Sequence, residues 1–154
     1  MFQSFEATAR PEQGPPRLRA LRVEMKAAGL DGFLVPRADA HQGEYVAAHD
    51  ERLSWLTGFT GSAGFCAVLP EIAGVFIDGR YRTQVKAQVA SEYTPVPWPD
   101  IQLGEWLRDQ LPKGGVVGFD PWLHTPGQIA QVEAALDGSG VTLKRCANLV
   151  DRIW

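Results

Sequence analysis

The spacing of hydrophobic residues along the chain alternates between the periods of helices and of buried strands. Leu18, Leu21 and Met25 recur at helical spacing and Gly29 follows them, which predicts a helix over 17–28. The same reasoning predicts helices at 51–56, 81–89, 103–111 and 125–136, and strands at 32–36, 65–69, 74–77, 93–96, 116–119 and 141–144. Because strands and helices alternate around one hairpin near the middle, the sequence predicts an α/β domain with a mixed sheet covered by helices on both faces.

Composition supports a single core and excludes several functional classes. The 154 residues are 45% hydrophobic and 21% charged, with a net charge of −3, which is the profile of an average globular domain. No basic excess favours nucleic acid or anionic membrane as a partner, and no apolar run approaches the length of a membrane span. Cys66 and Cys146 are expected to be buried thiols in a reducing cytoplasm. Residues 1–16 are predicted to form a flexible leader before a domain at 17–154.

The densest polar cluster lies between the first strand and the second helix. His41 and Glu44 are three residues apart, and Asp39 or His49 could complete a metal site with them. The spacing matches no helical His-Glu-x-x-His signature, so a polar loop that caps neighbouring helices is the competing interpretation.

Ser62 lies in a Thr-Gly-Ser-Ala-Gly segment that is similar to the turn around a nucleophilic serine. Asp78 or Asp120 and then His124 follow in the chain order of a catalytic triad. However, the first glycine of that turn is replaced by Thr60, and the segment precedes a strand instead of following one. A phosphate-binding loop is also a poor match, because no Lys-Ser/Thr pair and no helix follow the glycines.

The segment Asp78-Gly-Arg-Tyr81 follows a predicted strand and precedes a predicted helix. Asp78 could cap the helix after a turn that Gly79 allows, or Arg80 could project from the end of the strand and bind a carboxylate or a peptide carbonyl. The tryptophans at 55, 98, 106 and 122 are predicted to pack in the core and against helices. Trp154 would leave an apolar end, as expected at a domain boundary.

Taken together, several segments are more specific than any of them alone. In order along the chain, these are Pro36-Arg-Ala-Asp-Ala-His-Gln-Gly-Glu-Tyr45, Asp50-Glu-Arg52, Leu56-Thr-Gly-Phe-Thr-Gly-Ser-Ala-Gly64, Asp78-Gly-Arg-Tyr81, Gly118-Phe-Asp-Pro121 and Asn148-Leu-Val-Asp-Arg-Ile-Trp154. This series resembles the amino-terminal domain of the long, three-domain Xaa-Pro aminopeptidases of the creatinase/prolidase superfamily. The resemblance implies a ribonuclease-H-like α/β fold.

The resemblance further implies a role outside the chemical step. In that family two divalent metals, usually manganese, sit in a carboxy-terminal catalytic domain and activate the water that attacks the bond before proline. The chain is therefore expected to hold no metal or catalytic residue, to be inactive by itself, and to cap the active site of a cytoplasmic homodimer that takes peptide substrates. Carried over by motif, Phe59 and Arg80 are expected to face the cleft, and Asp39 and His41 to orient the peptide's first residue.

Two alternatives remain open at this point. The chain could be a stand-alone binding or oligomerisation domain without peptidase activity, which an open reading frame continuing beyond Trp154 would exclude. It could also be an independent hydrolase that uses Ser62 or the Asp39, His41 and Glu44 cluster, and retained activity after Ser62→Ala would remove serine chemistry.

Overall fold

A computed structural model describes residues 11–36, 52–59 and 64–154 of the chain. Within them, a 3₁₀ turn at Pro11–Gln13 precedes five α-helices and six strands. The helices are α1 (Gly14–Ala27), α2 (Arg52–Thr57), α3 (Arg82–Gln88), α4 (Leu103–Gln110) and α5 (Pro126–Ala135). The strands are β1 (Gly32–Pro36), β2 (Phe65–Val68), β3 (Ala73–Ile77), β4 (Tyr93–Pro97), β5 (Gly115–Phe119) and β6 (Val141–Arg145). Short 3₁₀ turns lie at Gly79–Tyr81 and Val150–Arg152.

The six strands form one mixed sheet in the order β4-β3-β2-β1-β5-β6. The hairpin of β2 and β3 is antiparallel, as is the β1–β2 pair, whereas the β3–β4, β1–β5 and β5–β6 pairs are parallel. The α/β class and the mixed sheet predicted from the sequence are therefore confirmed.

The starts of helices α1 and α5 are set by residues in or next to their first turns. Helix α1 starts at Gly14, three residues earlier than predicted, because Pro15 and Pro16 occupy its first turn, where no N–H is needed for a helical hydrogen bond. At α5 the Thr125 hydroxyl accepts a hydrogen bond from the Gln128 backbone N–H, and the Gln128 side chain accepts one from the Thr125 N–H. This capping box confirms the predicted start of α5.

Two hydrophobic clusters cover the two faces of the sheet, because neighbouring strand residues point to opposite sides. Phe33 and Val35 of β1 belong to the cluster that packs α1, α2, α3 and the segment after β6. Leu34, between them, belongs to the cluster under α4 and α5. The prediction of helices on both faces is confirmed. Among the described residues, no helix has both the length and the apolar character needed to cross a bilayer.

The tryptophans and cysteines depart in part from the sequence predictions. Trp106 is buried, but Trp122 is 75% exposed and Trp98 is 37% exposed, so the prediction that these two pack in the core is wrong. Both follow the ends of strands, where the connections turn away from the sheet. Cys66 is fully buried, whereas Cys146, just after β6, is part-buried; both thiols are free.

The last residues of the chain are held against α1 and α2. The Trp154 ring stacks on Trp55 with centroids 5.5 Å apart, and the Arg17 guanidinium lies 4.4 Å from the Trp55 centroid on α2. Arg52 donates two hydrogen bonds to the Asp151 carboxylate, at 2.8 and 3.1 Å. These contacts anchor Asp151 and Trp154 to α2.

Candidate functional site at the carboxyl rim of the sheet

Five strands of the sheet end at the same rim, and β2 begins there. Pro36 at the end of β1 pairs with Phe65 at the start of β2, and Phe65 pairs with Phe76 of β3. Ile77 pairs with Pro97, so β3 and β4 end together. The ends of β5 and β6 pair in the same way. We call this rim, with the connections that leave it, the carboxyl rim; in α/β sheets it is where ligands commonly bind.

The described residues of four segments singled out in the sequence lie at or beside the carboxyl rim. The first begins at Pro36, the second ends at Gly64 beside β2, the third follows Ile77, and the fourth spans the end of β5 at Phe119. These segments are far apart in the sequence, and the strand order of the sheet brings them together in space. Sequence spacing alone does not reveal that arrangement, because it depends on strand order.

Asp78 and Arg80 form a compact ion pair in the connection that leaves β3. Asp78 Oδ1 accepts a hydrogen bond from the Arg80 backbone N–H at 2.9 Å, and Asp78 Oδ2 accepts one from Arg80 Nη2 at 2.8 Å. These hydrogen bonds lower the pKa of the Asp78 carboxyl and raise the pKa of Arg80, so both groups are charged at neutral pH. The Arg80 side chain remains 70% exposed. The predicted turn is thus present, but Asp78 accepts its hydrogen bond from the 3₁₀ turn Gly79–Tyr81 and does not cap α3, whose N-cap Tyr81 makes no capping hydrogen bond through its side chain.

Phe59 lies beneath this connection, in the core. Its side chain is 1% exposed and meets the Tyr81 ring edge-on, with centroids 5.5 Å apart. Its backbone N–H donates to the Thr57 hydroxyl at 3.0 Å. A Cβ on Gly64, which has a φ of 155°, would lie 2.8 Å from the Phe59 ring. Glycine at position 64 therefore lets the chain pass directly over the Phe59 ring.

Asp120 ties the end of β5 to the last segment of the chain, a role that the sequence analysis missed. Asp120 Oδ1 accepts a hydrogen bond from the Trp122 backbone N–H at 2.9 Å, and Asp120 Oδ2 accepts one from Asn148 Nδ2 at 3.2 Å. The Asn148 side chain in turn accepts a hydrogen bond from the Val150 backbone N–H at 3.0 Å. Because both side chains are buried, this network explains their presence in structural terms.

A groove of about 510 Å³ opens between α4 and α5 and reaches the carboxyl rim. Its lining includes Pro36, Phe65, Trp98 and His124. Burial lowers the pKa of His124, so the imidazole is neutral at pH 7. Sequence periodicity does not predict this groove, because it forms only where two consecutive helices pack side by side on one sheet face.

The remaining predicted site residues lie outside the described part of the chain. These are Asp39 and His41, together with Glu44, His49 and Ser62 of the alternative metal and serine sites. Among residues 11–36, 52–59 and 64–154, no three His, Cys, Asp or Glu side chains converge as a metal site would require.

Comparison with known proteins identifies the domain type. Residues 17–153 match the Creatinase/Prolidase N-terminal domain family. The chain belongs to this family. A creatinase/prolidase N-terminal domain was the resemblance inferred from the motifs, and that inference is confirmed.

Curated relatives of this creatinase/prolidase N-terminal domain are much longer than it is. Xaa-Pro aminopeptidase 2 of Homo sapiens is 39% identical over 146 residues, which cover 89% of this chain and 21% of the relative. Xaa-Pro aminopeptidase ApepP of Drosophila melanogaster is 37% identical over 147 residues, covering 90% of this chain and 24% of the relative. The chain thus spans about a fifth to a quarter of these relatives.

Solved structures agree with the fold. The X-prolyl aminopeptidase of Caenorhabditis elegans, described as a cytosolic enzyme with a di-nuclear active site, superposes with a TM-score of 0.84 and 32% identity over 92% of this chain and 25% of that one. The N-terminal domain of the cytoplasmic peptidase PepQ of Mycobacterium tuberculosis superposes with a TM-score of 0.70 and 25% identity, covering 90% of this chain and 98% of that one. This creatinase/prolidase N-terminal domain corresponds to one quarter of the nematode enzyme.

Proposed function

We propose that this chain is the non-catalytic amino-terminal domain of a metal-dependent Xaa-Pro aminopeptidase, and that its carboxyl rim faces the active site of the catalytic domain. The observation that carries the proposal is the convergence of the described residues of four motif segments on that rim. The relatives supply the reaction class, because the curated relatives described above are Xaa-Pro aminopeptidases. The domain caps the site and restricts entry to the ends of short peptides.

Arg80 is the described residue best placed to act toward a substrate. Its guanidinium is exposed at the carboxyl rim and is held in one direction by Asp78. An arginine so oriented can bind a carboxylate or a peptide carbonyl with two hydrogen bonds. Because its ring is buried, Phe59 acts by supporting Tyr81 beneath Arg80. Asp39 and His41 orient the amino-terminal residue of the peptide.

The metals and the assembly are part of the same proposal. Two divalent ions, manganese in our proposal, are held by the catalytic domain and activate the attacking water. The di-nuclear active site ascribed to the nematode enzyme supports two metals, and its description as cytosolic supports a cytoplasmic protein. The protein works as a homodimer that this domain helps to form, and the exposed Trp154 gives the separate domain an apolar contact for weak self-association.

The test is the release of the amino-terminal residue from an Xaa-Pro peptide, with and without manganese. This chain is assayed beside the full product of the gene that encodes it. We expect activity from the full product alone. Activity in neither protein would favour a stand-alone binding domain, and activity in this chain alone would show that the site assignment is wrong.

Arg80→Ala in the full gene product tests the orientation of the domain. We expect KM to rise about tenfold or more, because charge-assisted hydrogen bonds to the peptide are lost. Arg19→Ala is the matched control, since Arg19 is exposed on α1, away from the carboxyl rim, and its loss should leave KM unchanged. Equal effects of the two substitutions would contradict the proposed orientation.

A further inference from the structure

The groove between α4 and α5 has no charged residue in the part of its lining that the structure describes. Its described lining contains no Lys, Arg, Asp or Glu side chain, although 21% of the chain is charged. Its base is formed by Leu34 of β1 and Phe65 of β2, and its walls by Leu103 of α4 and Ile129 and Val132 of α5. A volume of about 510 Å³ lies within the range of about 300–1,000 Å³ that is typical of ligand sites.

Aromatic rings and amide groups give this groove a specific chemistry. The Phe65 and Trp98 rings meet at 80°, with centroids 6.2 Å apart, and form an angled aromatic wall at the carboxyl rim. The amides of Gln128 and Gln131 lie along the α5 side. The Gln128 carbonyl oxygen accepts from the Thr125 N–H, which leaves its NH₂ group to donate elsewhere.

Helix α5 supplies one wall of the groove and has little polar character. None of its ten residues is buried, although seven of them are Ala, Ile, Val, Pro or Gly and one, Glu133, is charged. A helix with so little polar character normally packs against other residues on most of its surface. On the groove side, Ile129 and Val132 pack partly against the core and keep part of their surface open to the groove.

The shape and chemistry fit an extended peptide better than a helix. A helix with its side chains is about 10–12 Å across, so one turn would fill most of the groove. A polyproline-type segment rises about 3.1 Å per residue and has no internal hydrogen bonds. Its carbonyl groups need donors and its rings need aromatic surfaces, and the groove offers both. An uncharged groove also matches the absence of charge in a proline-rich segment.

We propose that this groove binds the downstream, proline-containing part of a longer peptide in extended conformation. The inference rests on the proposed function, because Pro36, Phe65 and Trp98 place the groove on the same carboxyl rim that we assign to the active site. A peptide whose first bond is in the catalytic site would continue along this rim. The domain would then select substrates by residues beyond the cleaved bond.

The first test measures binding without catalysis. The ¹⁵N-labelled 154-residue chain is titrated with acetyl-Pro-Pro-Pro-Pro-amide and, separately, with acetyl-Ser-Gly-Ser-Gly-amide, while the tryptophan indole and backbone amide N–H signals are followed. The backbone amide signals measure binding in the variant that lacks the Trp98 indole. We expect the proline peptide to move the Trp98 signal and Trp98→Leu to weaken binding about tenfold, as for loss of an aromatic contact. Trp122→Leu is the matched control, because Trp122 is exposed nearby but does not line the groove. Its binding should be unchanged.

Several results would overturn the inference. These are no binding of the proline peptide, equal binding of the Ser-Gly peptide, or equal loss of binding in Trp98→Leu and Trp122→Leu. Movement of the Trp98 signal with protein concentration alone would identify a second copy of the chain as the occupant, which also contradicts the proposal.

The second test separates this inference from the proposed function. In the full gene product, Trp98→Leu should lower kcat/KM about tenfold for Ala-Pro-Pro-Pro-Ala and leave kcat/KM for the dipeptide Ala-Pro unchanged. Equal loss for both substrates would refute a downstream subsite. If the unaltered gene product cleaves neither peptide, the proposed function fails, and the binding experiment still decides whether the groove takes proline-rich peptides.

Discussion

Two roles for Phe59, in a substrate-facing surface or in the core, predict opposite effects of its replacement on the stability of the domain. The ring is 1% exposed and packs between Tyr81 and Gly64. Phe59→Ala would leave a cavity of nearly a whole ring, and we expect it to cost about 3–5 kcal/mol of unfolding free energy. That is a large share of the roughly 5–15 kcal/mol that stabilises an ordinary domain. Phe59→Leu keeps most of the volume and should cost less than about 1.5 kcal/mol.

Urea unfolding of the 154-residue chain, followed by circular dichroism, measures this difference. With an m-value of about 2 kcal/mol/M, Phe59→Ala should lower the midpoint by about 2 M. Trp122→Ala removes another large ring, but one that is 75% exposed, and should change the stability by no more than about 0.5 kcal/mol. A loss below about 1 kcal/mol in Phe59→Ala, or equal losses in the two variants, would refute the buried placement of Phe59.

Three further predictions concern buried polar groups. The Tyr93 hydroxyl donates to the Leu56 carbonyl at 3.0 Å, so Tyr93→Phe should cost about 1–3 kcal/mol in urea unfolding; no loss would contradict that hydrogen bond. Because burial raises the pKa of the Cys66 thiol, a thiol reagent at pH 8 should label Cys146 before Cys66. Fast labelling that persists in Cys146→Ser would contradict this order. Burial lowers the pKa of His124, so the unfolded state binds the extra proton and stability should fall as the pH drops below about 6.5. That fall should be smaller in His124→Gln, and an identical pH profile would exclude His124 as its source.

The elements that the sequence predicted are those set by neighbouring residues. The strand at Gly32–Pro36 matches its prediction exactly, because a short apolar run ends at proline. Helix α5 begins after Thr125 because its capping box is a local pattern of four residues. The resemblance of the motifs to a known family also predicted the fold family, because those motifs are distributed over the whole chain.

The features that the sequence analysis missed depend on distant residues. The groove needs α4 and α5 side by side, where a Cβ on Gly104 would lie 2.5 Å from that of Ala135. The Asp120–Asn148 hydrogen bond joins residues 28 positions apart. The sequence predicts that Trp122 packs in the core or against helices, yet its place in the connection after β5 exposes it. Periodicity carries no information on such tertiary neighbours.

The prolines of β4 have a consequence for how copies of this domain behave at high concentration. The Trp98 N–H donates to the Ile77 carbonyl of β3 at 2.8 Å. Because backbone groups alternate along a strand, the positions of Pro95 and Pro97 face away from the sheet, where neither has an N–H to offer. A strand from another molecule would find no N–H donor at either position. Edge-to-edge addition of a strand, the step by which sheets extend into fibres, is therefore disfavoured at β4. On the opposite side, β6 presents Lys144, a charge that disfavours the same addition.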